Sequence, residues 1–132
     1  MTKGQSLKHI MPQELEVWYI LPTIRRELSK ALLDLDWNRG RIATTLGVSK
    51  ASISHYIRNK RAKEVEFDDV LLEKIRESAA RIAENDDLYM EEVQLLCKFI
   101  RSSRRLCQIH KQKSEITYAT CSVCLEWKTP FT

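Results

Sequence analysis

The stretch 42–61, IATTLGVSKASISHYIRNKR, restricts what this chain can fold into more than any other. Its apolar residues stand at offsets that lock two short helices at a steep crossing. Ala43 is small enough to let the helices touch. Gly47 predicts the turn, since glycine reaches positive φ without steric cost. Ile42, Leu46, Val48, Ile53 and either Tyr56 or Ile57 are the expected locks. The spacing predicts one helix over about 40–46 and a second over about 50–59, with Ser49 as N-cap of the second.

The outward face of that second helix has a different composition. Lys50, Ser54 and Arg58 recur every four residues, with Ala51 and His55 beside them. Such a stripe offers donors, acceptors and a methyl group, which are the chemistry that base edges in the major groove require. Ser49 and the helix N-terminus suit a phosphate. Arg39, Arg41, Asn59, Lys60 and Arg61 are expected as backbone clamps, which position a protein without reading sequence. His55 is read as a groove contact and His9 as a solvated terminal residue.

Charge is distributed in blocks. Residues 39–63 carry seven bases and no acid, residues 64–92 eleven acids and three bases, and residues 93–113 six bases and no acid. The net charge of +4 hides this segregation. Two basic blocks around an acidic one fit a nucleic-acid binder better than an evenly solvated surface.

Elsewhere the periodicity is helical. Trp18, Leu21, Ile24, Leu28, Leu32 and Leu35 predict one face of a helix over about 14–35, which Pro22 is expected to split near Thr23. Leu71, Leu72, Ile75, Ala79, Ile82 and Ala83 mark a helix over about 70–84, capped by Asp68 or Asp69. Core packing is the expected use of that stripe, ahead of pairing with a second subunit. Val93, Leu96, Phe99 and Ile100 mark another helix over about 88–102. No long periodicity follows, and ITYATCSVCLEW is expected to form a short hairpin. With 43% hydrophobic residues and only three Gly and three Pro, the expected class is mainly α. The expected organisation is a helix-turn-helix unit at 14–63, a helical packing or dimerisation region at 64–103, and a small Cys-rich metal-binding-like tail at 104–132.

The four cysteines lie in the last third, at Cys97, Cys107, Cys121 and Cys124. Clustered thiols in a chain whose start lacks an apolar stretch point to metal rather than disulfides. Cys107 and His110 form one Cys-x2-His pair, Cys121 and Cys124 one Cys-x2-Cys pair, and two such pairs complete a tetrahedron. The alternative set is all-thiolate, with Cys97 replacing His110. Structural zinc is the leading expectation and an iron–sulfur cluster the alternative.

The segment RIATTLGVSKASISHYIRNKR resembles the helix-turn-helix of the lambda repressor/Cro-like (XRE-type) regulators. Together with ILPTIRRELSKALLD before it and LCKFI, RLCQIH and CSVC after it, the wider chain resembles archaeal predicted transcriptional regulators built on that domain. The resemblance spans about residues 14–124. It implies a sequence-specific, double-stranded-DNA-binding regulator, dimeric, with Ser49, Lys50, Ala51, Ser54 and His55 facing bases.

Other classes fit less well. There is no HExxH, no GxSxG, no Gly-rich phosphate loop and no paired carboxylates in an apolar setting, so an enzyme is not expected. A thioredoxin-type dithiol lacks its βαβ setting. A zinc- or iron–sulfur-binding redox or adaptor protein with RNA or protein partners would not need the complete recognition-helix pattern. No apolar run reaches the length of a membrane span, and a cytoplasmic protein is expected.

Overall fold

The computed structural model describes residues 10–58 and 65–113. They are mainly helical, in the order α1 (Pro12–Leu15), a π-helical turn (Glu16–Ile20), α2 (Leu21–Asp34), α3 (Arg39–Leu46), α4 (Lys50–Arg58), α5 (Asp69–Glu84), a 3-10 turn (Asp86–Leu88), α6 (Tyr89–Ser102) and α7 (Arg105–Lys113). The proposed hairpin around Cys121 and Cys124 lies outside the described residues.

Pro22 does not split the first helix. It falls in the first turn of α2, directly after the π-helical turn. Proline has no N–H to give, and its ring clashes with the carbonyl one turn back. The wider π turn relieves this: the Leu21 N–H reaches the Glu16 carbonyl five residues back. The Thr23 hydroxyl donates to the Tyr19 carbonyl at 2.6 Å. The extra residue in the turn also moves the buried face. Leu15, Tyr19 and Ile20 are buried, while Trp18 and Leu21 are only partly so. Leu35, expected on that face, is 45% exposed at the C-cap of α2.

Helix α2 is the hub. It packs against α3, α4 and α5, α5 packs on α6, α6 on α7, and α7 closes back on α1. Ile24, Leu28, Leu32, Ile42, Ile53, Leu71, Ile75, Ile82, Ile100 and Leu106 are fully buried in one continuous core. The apolar stripe of α5 is thus used within the chain. Asp68 caps α5, accepting from the Leu71 N–H at 2.9 Å.

Helix α7 was not expected from the sequence. It begins after Arg104, whose left-handed backbone (φ 66°) ends the α6 direction. Leu106 and Ile109 are its buried apolar residues among those described. Polar contacts join the docking: Arg105 with Asp68 at 2.9 Å, and His110 Nε2 with the Ile10 carbonyl at 2.9 Å.

Candidate nucleic-acid interface

Helices α3 and α4 meet over Gly47, whose φ of 72° and ψ of 33° lie in the left-handed region. Its N–H is taken up by the Thr44 carbonyl and that of Val48 by the Ala43 carbonyl, which closes the end of α3. Ile42, Ala43, Leu46 and Ile53 are buried, and Val48, Tyr56 and Ile57 are partly buried against the core. Every expected lock is therefore buried in the core or packed on it. Ser49 caps α4, its hydroxyl accepting from the Ser52 N–H at 3.1 Å.

The inward locks leave the other side of α4 open. Lys50, Ala51, His55 and Arg58 are exposed and Ser54 is half-exposed. Arg58 folds back along its own helix, with Nε donating to the Ser54 carbonyl at 3.3 Å. Lys60 and Arg61, expected as clamps, lie outside the described residues, as does Asn59.

The start of α3 holds a cap and a ring contact. Asn38 is the N-cap, and its side chain accepts from the Arg41 N–H at 2.8 Å. The helix accordingly starts one residue earlier than expected, with Arg39 exposed in its first turn. The Arg41 guanidinium lies 3.7 Å from the centroid of the Trp37 ring, and Trp37 is buried. A cation over an indole face is held by the ring quadrupole, so Arg41 is pre-positioned at the surface. The Asn residue immediately before RGR was the available cap signal. Nothing local marked the stacking.

Gly40 receives the Lys50 side chain. A Cβ on residue 40 would stand 3.0 Å from the Lys50 Cε and 3.3 Å from the Asn38 Oδ1. The first residue of α4 is thus laid across the first turn of α3, and the bases of both helices share one surface. No acidic residue falls between 39 and 63.

The candidate metal ligands are distributed differently. Cys107 and His110 lie three apart on α7, hence on one side of that helix, and both are half-buried. The Ile10 carbonyl can only accept, so the His110 Nε2–H donates to it. Cys97 is buried on α6. Burial pushes its thiol up to about 11, with the nearby Glu16 carboxylate adding to this and Arg101 opposing it. Cys121 and Cys124 lie outside the described residues. Among the described residues no three metal-ligating side chains converge.

No helix among the described residues is long and apolar enough to cross a membrane. Comparison with protein-family models, with curated proteins and with solved structures finds no match.

Proposed function

We propose that this chain is a sequence-specific regulator that binds double-stranded DNA, with α4 as the recognition helix in the major groove. The observation that carries this reading is the division of α4 into two sides. One side locks into the core through Ile53. The other presents Lys50, Ala51, Ser54, His55 and Arg58 to solvent, and no acidic residue lies between 39 and 63. A solvated face that only kept the chain soluble would mix both signs. Base edges are reached by Lys50, Ser54 and His55, and phosphates by Arg39, Arg41, Lys60 and Arg61. One helix of this length reads few base pairs, so the working form is a homodimer on two half-sites.

The C-terminal region holds a structural metal in this reading, zinc ahead of an iron–sulfur cluster. Cys107 and His110, on one side of α7, serve as one pair in this reading, and Cys121 and Cys124 supply the other. A histidine whose distal nitrogen is fixed by a carbonyl is oriented as metal-bound histidines usually are. Cys97, buried on α6, suits this set less well. Bound there, the metal would staple a region with few apolar residues.

The test is selection of binding sites from random duplexes, followed by titration of the enriched site and of random DNA. Lys50→Ala and Ser54→Ala are expected to narrow the difference between the two by about tenfold each, since a base contact carries on the order of 1–3 kcal/mol. Lys60→Ala and Arg61→Ala are expected to weaken both equally, and to lower the salt slope by roughly 1 per lost phosphate contact. No enriched sequence, or enrichment insensitive to Lys50 and Ser54, rejects the reading. Metal analysis of the purified protein separates zinc from iron.

A further inference from the structure

The outward face of α6 changes sign along its length. Glu91, Gln94, Leu95 and Lys98 are all exposed, at spacings of three, four and seven that place them in one stripe. The stripe begins acidic, with Asp87 one turn before Glu91, and ends basic, with Arg101 one turn after Lys98. The helix dipole accounts for acids at the start and bases at the end. It does not account for a leucine at the midpoint that is 52% exposed. Leu95 is also a ridge between two depressions. One, of about 410 Å³, runs along α6 past Gln94, Cys97 and Lys98. The other, of about 270 Å³, lies between α5 and α6 over Lys74, Glu77 and Phe99.

A ridge beside a groove, with opposite charges equidistant from its centre, is self-complementary under a two-fold axis. Rotation about the midpoint between Gln94 and Leu95 sets Glu91 against Lys98 of the second copy, and Lys98 against its Glu91. Parallel pairing would oppose like charges instead. Among the described residues neither Glu91 nor Lys98 is held by an ion pair within its own chain.

We propose that α6 packs antiparallel against α6 of a second copy of this chain, Leu95 of each seated in the groove beside Gln94 of the other. This deepens the DNA-binding reading, which needs two recognition helices. Its test does not use DNA.

Sedimentation equilibrium of the full chain is expected to show a monomer–dimer equilibrium. Glu91→Lys and Lys98→Glu each create two like-charge contacts per dimer, and each is expected to raise the dissociation constant by on the order of tenfold. The double reversal E91K/K98E restores opposite pairs and is expected to return the constant to the wild-type value. Both residues are exposed, so circular dichroism should be unchanged in all three. A wild-type chain that stays monomeric at every concentration reached overturns the proposal. So does a dimer insensitive to the single reversals, or a double variant as weak as the singles. A dimer that binds no DNA would reject only the regulator reading, and a monomer that selects a DNA site only the dimer contact.

Discussion

Arg81 holds both carboxylate oxygens of Glu92, Nε to one and Nη2 to the other, each at 2.9 Å. The pair joins the last turn of α5 to the first turn of α6. Glu92 is 4% exposed, whereas Arg81 is open to solvent on one side. Hydrogen bonds from Arg81 hold the carboxyl below its ordinary value, against burial, with Ser78 assisting.

Removing the guanidinium leaves that carboxylate buried with one weak partner. Arg81→Ala is expected to cost about 2 kcal/mol at neutral pH, because an unpaired buried charge keeps its full desolvation penalty. The folded-state pKa of Glu92 lies below the reference 4.5. Its contribution is therefore complete above 4.5 and is lost as pH falls through the lower, folded value. Urea titrations of wild type and variant should diverge most near neutrality and converge in acid. A pH-independent gap would show that Glu92 is not the group involved.

Gly47 isolates backbone strain from packing. A Cβ there would touch nothing within 4 Å, yet the φ is 72°. Gly47→Ala is expected to cost about 1 kcal/mol, Gly47→Asn less and Gly47→Val more, following the left-handed penalties of those residues. Equal losses for Ala and Asn in chemical denaturation would contradict a left-handed turn.

The approach of Lys50 to Gly40 is measurable as a coupling. Alanine at an exposed helical position normally gains about 0.5–1 kcal/mol over glycine. In the wild type, part of that gain is offset by moving the Lys50 stem, which stands 3.0 Å from the added Cβ. Gly40→Ala should therefore stabilise a Lys50→Ala background more than the wild type. Identical gains in the two backgrounds would place Lys50 elsewhere.

Arg41 covers Trp37. Arg41→Ala is expected to shift the indole emission to longer wavelength and to cost about 1 kcal/mol through the lost stacking. Arg41→Lys keeps the charge without the planar stack and should fall between them. Unchanged emission in both variants would mean that Trp37 is shielded by other side chains alone.

What could be read from sequence was local. Gly47, Ser49 and Asp68 end or begin helices through contacts within a few residues, so residue type points to the turn, to the Ser49 cap and to Asp68 or Asp69 as the other. The offsets of Ile42, Ala43, Leu46 and Ile53 are likewise a matter of helical period, and they suffice to divide α4 into a locked side and an open one. Asn38 follows the same capping rule, one residue before the helix it starts.

Tertiary structure decided the rest. Pro22 could continue a helix because the preceding turn widened and Thr23 took up the Tyr19 carbonyl. That widening, absent from any fixed period of 3.6, turned Tyr19 and Ile20 inward in place of Trp18 and Leu21. Helix α7 carries too few apolar residues to announce itself, and it is held by partners 37 and 100 residues away. The burial of Cys97, the cover of Arg41 over Trp37 and the contact of Lys50 with Gly40 depend on how separate elements meet. The one-dimensional pattern determines which residues must leave water. The choice of what they meet is made by packing α2, α5, α6 and α7 into one core.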